Sequence, residues 1–294
     1  MSLDDYLAGR RRQIDAALDR LVPPENTPPE SVHRAMRYSL FAGGKRLRPI
    51  LCLEAARAVS EAGPDPEAVA CSLELVHTYS LIHDDLPALD NDDFRRGLPT
   101  CHKQFGEALA ILAGDALLTL AFQVLAQAEG VPQERRALLV AELAHAAGTV
   151  GGMIAGQVED LAGAGQRPTA ELLERIHRAK TGALLAASVR MGATAAGANQ
   201  GQLEALTGYG RHIGLAFQIV DDLLDVEQSS AELGKTAGKD ATQGKITFPA
   251  VYGLAESHRM AEEEAARARA VLEGFDERAA RLRELANFIV RRKK

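Results

Sequence analysis

The chain has 294 residues, 46% of them hydrophobic and 25% charged, with a formal net charge of −6. That size and composition support a packed core in one large domain or two ordinary ones. The acidic balance excludes the general basic excess of a nucleic-acid binder, but leaves room for an anionic ligand at a local cluster of cations.

Three cysteines, Cys52, Cys71 and Cys101, form neither an even disulfide set nor a metal-spaced pair. They read as small apolar residues of a reducing compartment. The opening Met1 to Asp5 lacks the basic and apolar regions of a signal peptide, so a cytoplasmic location is expected. Strand signals are scarce: aromatics are 4%, tryptophan is absent, and no sustained apolar/polar alternation occurs. Runs rich in Ala, Leu, Glu and Arg predict helices over 31–42, 49–62, 67–83, 108–128, 132–147, 170–195 and 202–226. Between them lie Pro23-Pro24, Pro28-Pro29, Gly43-Gly44, Gly63-Pro64, and the Gly-containing stretches 163–168 and 197–201. No flexible linker divides the chain, so a single all-α domain over 1–294 is expected. The runs 67–83 and 108–128 are apolar around most of their circumference and must be surrounded by other helices or lie at a subunit interface. A bundle with central helices inside a ring meets that need and allows a deep central cavity. Asp115 and Gln123 interrupt 108–128, which argues against a stable membrane span.

Two acidic clusters follow apolar helical runs: His83-Asp84-Asp85-Leu86-Pro87-Ala88-Leu89-Asp90 and Asp221-Asp222-Leu223-Leu224-Asp225. Asp221 and Asp225, four positions apart, share a helix face, and Asp222 points to one side of it. Carboxylates at the end of a buried helix repel one another unless a cation compensates. Mg²⁺ suits them, since it takes a few carboxylates together with ligand phosphate oxygens and water. Asp84 and Asp90 would stand about 120° apart on a continuous helix. Pro87 ends or kinks the helix, freeing the chain to bring Asp90 back toward Asp84. Either cluster alone reads equally well as a solvated face; two, with phosphate-type cations around them, do not.

These motifs, with Gly43-Gly44-Lys45-Arg46-Leu47-Arg48-Pro49 before them, resemble those of the trans-isoprenyl diphosphate synthases, in order, from about Gly43 to Pro249. The run Leu81 to Gly97, with two extra residues before the last Asp of the first cluster, is similar to the bacterial and plastid types, and most like bacterial farnesyl diphosphate synthases. The resemblance implies Mg²⁺, three ions with substrate bound, held by Asp84, Asp85, Asp90, Asp221, Asp222 and Asp225. It implies isopentenyl diphosphate held by Lys45, Arg48, His77 and Arg96, and an allylic diphosphate faced by Arg95, Lys180, Lys235 and Lys245. Lys180-Thr181-Gly182 interrupts a helix, and a kink there would offer carbonyls to a carbocation. Gln218, one turn before Asp222, is implied to contact the reacting region, so Lys180, Thr181 and Gln218 are the candidate catalytic set. A homodimer is implied, with 108–128 as candidate interface.

Each of these cations also has a plainer reading: a solvated loop for Lys45 to Arg48, a structural histidine for His77, and partners of Asp92 and Asp93 for Arg95 and Arg96. Tyr79, five residues before Asp84, lies about 7.5 Å down the helix axis. A ring there would floor the pocket early and limit the product to fifteen carbons; Ser80 beside it is small and leaves twenty open. Three rivals fit less well. A non-catalytic subunit predicts degraded motifs, a terpene cyclase needs no second diphosphate site, and a ferritin-like bundle wants more than the single Glu142-Leu143-Ala144-His145. The tail Arg291 to Lys294 is basic and expected to be frayed, with a role in closing the site as the alternative.

Overall fold

In the computed structural model the described residues are 2–62, 66–227 and 245–292. They are mostly helical, as the composition predicts. Backbone proximity divides the chain into two compact units, Met1–Ile50 with Pro66–Val140, and Leu51–Asp65 with Ala141–Lys294.

The first unit opens with α1 (Leu3–Leu21), where the Ser2 hydroxyl accepts the Asp5 N–H and acidic Asp4 and Asp5 occupy the first turn. Next come α2 (Glu30–Leu40) and the start of α3 (Leu47–Val59), whose remainder belongs to the second unit. The helix α4 (Glu67–Asp84) is buried over most of its length, from Val69 to Ile82. A two-residue antiparallel pair follows, β1 (Phe94–Arg95) and β2 (Leu98–Pro99), turning at Arg96-Gly97, both with positive φ. Then come α5 (Cys101–Phe105) and α6 (Glu107–Ala126), and α6 packs along α4. By length and composition α6 could cross a membrane. In the fold it buries Ala110, Ala113, Gly114, Leu117, Ala121 and Val124 and exposes Ile111 and Leu112. At Gly114 a Cβ would lie 2.1 Å from His83 Nε2, so a larger residue there would displace the His83 ring.

The helix α7 (Gln133–Ala147) leads into the second unit, which continues with α8 (Met153–Gly163) and α9 (Ala170–His177), capped by the Thr169 hydroxyl. One wide π turn, Arg178–Gly182, joins α9 to α10 (Ala183–Ala196), which stops at left-handed Gly197. The 28-residue α11 (Gln200–Glu227) packs against α10 and α13 (Leu254–Ala270). Short α12 (Phe248–Tyr252), capped by Thr247, and α14 (Ala280–Arg291) complete the unit. Leu173, Ile219, Val220, Leu223, Ile246 and Phe248 form a core cluster beneath the second acidic motif.

Candidate active site

The first acidic motif sits where α4 stops. The helix ends at Asp84, and the chain then turns so that the Asp90 N–H donates to the Asp84 carbonyl at 2.8 Å. The Asn91 N–H closes on Leu86 O at 3.1 Å and the Asp92 N–H on Asp85 O at 3.2 Å, with Asn91 at φ +51°. The bend expected at Pro87 is present and returns Asp90 to Asp84. The three acids differ in surroundings. Asp84 and Asp90 are half-buried, whereas Asp85 is buried and gripped by Arg95, whose Nε reaches both carboxylate oxygens at 2.9 Å and whose Nη2 reaches Oδ1 at 2.6 Å. Burial raises the Asp85 pKa and the Arg95 contact opposes that rise. Arg95 thus has Asp85 as its main partner, with Asp92 only at 3.9 Å.

Arg96, at φ +54°, donates to Gly43 O and lies against Gly44, where a Cβ would stand 2.9 Å from its Nη1. Glycine at 44 is therefore needed for the close approach. Within the loop Lys45 is exposed, Arg46 buried and Arg48 half-buried. Burial, with Arg48, Arg96 and Arg95 nearby, holds the His77 imidazole well below the usual histidine range. His77 is accordingly neutral near pH 7 and keeps one N–H to donate. Arg48, Arg95 and Arg96 thus lie near enough to His77 to oppose a positive charge on it. Tyr79 is buried, edge-on to His83 with ring centroids 5.7 Å apart, and its hydroxyl has no hydrogen-bond partner. Burial, then Asp84, pushes its phenol up to about 12. The Ser80 hydroxyl is turned back onto the His77 carbonyl at 2.8 Å.

In the second unit, Lys180, Thr181, Gln218, Asp221, Asp222 and Lys245 line one cavity of about 140 Å³, with Asp160, His177 and Thr247. The kink expected at Lys180 to Gly182 is the π turn, held from below by α8: Gly156 allows the contact, since its Cβ would come within 2.1 Å of the Lys180 nitrogen. Lys180 Nζ donates to Asp160 at 2.6 Å. The acids of this motif divide. The Asp221 side chain is 41% exposed, and Asp222 and Asp225 are buried. Asp222 accepts from Gln218 Nε2 at 2.8 Å and from the Phe248 N–H at 2.9 Å, with His177 Nε2 3.4 Å away. The His177 ring stacks on Phe248 at 5.3 Å.

Asp221 already carries a cation. Arg292 donates to its Oδ1 and to Phe217 O at 3.0 Å, with the guanidinium 3.9 Å above the Phe217 ring. The expectation of a frayed tail is corrected at this residue, because the ring and the carboxylate together bury the Arg292 side chain to 3% exposure. Lys235 lies outside the described residues. Sequence reasoning also missed Asp160 and the pairing of Arg292 with Asp221, residues distant in sequence from the groups they meet. His177, one turn before Lys180, offered a weak signal. Among the described residues no three His, Cys, Asp or Glu side chains converge on one point. A divalent ion here would need diphosphate oxygens to complete its shell, and the Asp221–Arg292 pair demonstrates that this carboxylate accepts a positive partner.

The polyprenyl synthetase family model matches residues 29–288, and the chain belongs to that family. It is 47% identical over 293 residues to a dimethylallyltranstransferase of Fischerella ambigua (strain UTEX 1903), covering 99% of this chain and 84% of that one. It is 48% identical over 294 residues to the chloroplastic heterodimeric geranylgeranyl pyrophosphate synthase large subunit 1 of Arabidopsis thaliana, covering 98% and 78%. Among solved structures, the apo FPP/GFPP synthase of Zymomonas mobilis superposes with a TM-score of 0.86 at 37% identity, covering 98% of both chains.

Proposed function

We propose that this prenyltransferase condenses isopentenyl diphosphate with dimethylallyl and then geranyl diphosphate, giving farnesyl diphosphate. The cation set near neutral His77, opposite in character to the carboxylates of Asp84 and Asp90, is the observation that carries the reading. Lys45, Arg48, His77 and Arg96 hold isopentenyl diphosphate as point charges and forks. Arg95 serves two partners: it steadies Asp85 and presents its remaining donor surface to the allylic diphosphate. Lys180 and Lys245 bind that same diphosphate, with Lys235 following by likeness to the family.

When bound, Mg²⁺ neutralises the charge that grows on the departing diphosphate, so that the allylic carbon–oxygen bond can break. By likeness to the family, Asp84 and Asp90 of the first motif and Asp221 of the second would hold it. Asp85 and Asp222 act through others, positioning Arg95 and Gln218, and Asp225 stays in the buried layer beneath. Thr181 and Gln218 border the cavity where the allylic cation forms, and the carbonyls of the π turn lower its energy as fixed dipoles. The isopentenyl double bond captures the cation, and a proton leaves to the released diphosphate. Water, which would quench the cation, has to be excluded while it forms.

Tyr79 is buried on α4, and by likeness to bacterial farnesyl diphosphate synthases a ring there would limit the growing tail to fifteen carbons. A twenty-carbon product is the second reading, favoured by the geranylgeranyl pyrophosphate synthase names of several relatives. Incubation with isopentenyl diphosphate and each allylic diphosphate, with and without EDTA, followed by chromatography of the dephosphorylated products, tests both. Farnesol as main product supports the proposal, geranylgeraniol supports the second reading, and product that survives chelation overturns the metal-assisted mechanism. We further propose a homodimer and a cytoplasmic location, to be read from light scattering and cell fractionation.

A further inference from the structure

The loop that carries Lys45 and Arg48 is organised around a residue that does not face solvent. Arg46 adopts φ +53°, a conformation that L-residues disfavour, and its carbonyl accepts the Ile50 N–H at 3.0 Å to begin α3. Its side chain is 2% exposed and every branch of the guanidinium is engaged. Nε donates to Asp15 at 2.8 Å, Nη1 to Glu74 at 2.9 Å and Nη2 to Leu40 O at 2.7 Å. Glu74 is equally buried and stands one helical turn before His77 on α4. The three cations of Lys45-Arg46-Leu47-Arg48 therefore have different roles. Lys45 is exposed and Arg48 sits in the first turn of α3, while Arg46 between them is neutralised by two carboxylates. Without that neutralisation Arg46 would add its charge to the repulsion among Arg48, Arg95 and Arg96.

We propose that Arg46 and Glu74 are positioning residues for isopentenyl diphosphate, fixing the loop of Lys45 and Arg48 in register with His77. The proposal rests on the functional reading above. An uncompensated loop would relax toward ordinary φ values and displace both phosphate-binding cations, and a displacement of about 1 Å can cost on the order of 100-fold.

The test compares wild type with Arg46→Gln, Arg46→Lys and Asp15→Asn, by calorimetric titration with isopentenyl diphosphate, KM for each substrate, and melting temperature. Asp15→Asn guards against a misfolded Arg46 variant, because the Asp15 side chain is 47% exposed. Arg46→Gln is expected to weaken isopentenyl diphosphate binding at least about tenfold while the allylic KM stays within about twofold. Arg46→Lys should recover part of that loss, and Asp15→Asn should show a smaller loss of the same selectivity. Variants that melt earlier yet bind isopentenyl diphosphate as tightly as wild type would overturn the proposal. Wild type that fails to bind it would overturn the functional reading as well, so the two failures are separable.

Discussion

Replacing Gly156 by Ala probes how the π turn is held. A Cβ at 156 would stand 2.1 Å from the Lys180 nitrogen and 2.5 Å from its Cα, both backbone atoms that cannot rotate away. Ordinary contact begins near 3.4 Å, so α8 and the π turn must part by up to 1.3 Å (3.4 − 2.1). Overpacking of this kind costs about 1–3 kcal/mol. The melting temperature should accordingly fall by a few degrees. The same movement draws Lys180 from Asp160 and from the cavity it lines, and a shift of this size is expected to lower kcat/KM for the allylic diphosphate about 100-fold. Gly163→Ala is the control on the same helix, because its nearest neighbour, Ile176 Cδ1, would be at a comfortable 3.5 Å. That variant exchanges a poor helix former for a good one and should be neutral or slightly stabilising. Steady-state kinetics and thermal melts on both proteins decide. A Gly156→Ala enzyme with wild-type melting and wild-type allylic kinetics would refute the argument.

Tyr79→Ala should shift the main product toward longer chains, read by chromatography, because the ring it removes is buried and its hydroxyl forms no hydrogen bond that would have to be replaced; an unchanged product profile would remove Tyr79 as the floor. Arg292→Gln should lower the Mg²⁺ concentration needed for half-maximal turnover and tighten Mn²⁺ binding measured by electron paramagnetic resonance, since the guanidinium on Asp221 competes with a metal there. His77 gives a pH prediction. Its folded pKa lies well below the ordinary 6.5, so below about pH 6.5 the unfolded chain takes up a proton that the folded chain refuses. Stability should therefore fall with decreasing pH, His77 contributing at most about 1.4 kcal/mol per pH unit. His77→Gln should flatten that slope between pH 7 and 5 in urea titrations, and equal slopes would contradict the assignment.

Local grammar made much of this molecule legible. The run 67–83 marks a helix because its formers are uninterrupted, and Pro87 marks the end of α4 because proline cannot continue a helix. The return of Asp90 to Asp84 follows from that stop. Helices α1, α8, α13 and α14 carry weaker or more polar patterns, and their faces are defined by what they pack on. The π turn was visible only as a disturbance at Thr181-Gly182. What sets its position is Gly156, an ordinary small residue of α8 until the contact with Lys180 is known.

The acidic and basic clusters illustrate a harder limit. In sequence, Asp221, Asp222 and Asp225 look alike, and so do Lys45, Arg46 and Arg48. Their environments differ because a helix or a tight turn sends neighbouring side chains in different directions, and only tertiary partners decide which direction is inward. Asp222 meets Gln218 and the Phe248 N–H, and Arg46 meets Glu74 and Asp15. In both clusters the charges divide: Arg46 is buried between exposed Lys45 and half-buried Arg48, and Asp222 and Asp225 are buried beside the more exposed Asp221. A cluster of like charges is costly to hold in one geometry, and internal hydrogen bonds or an opposite charge offset part of that cost before any ligand arrives. On the proposed reading, the motif that looks redundant as a string contains two functions, ligand binding and its own support. Substitutions at the supporting positions should alter binding selectively through geometry, without removing any group that touches substrate.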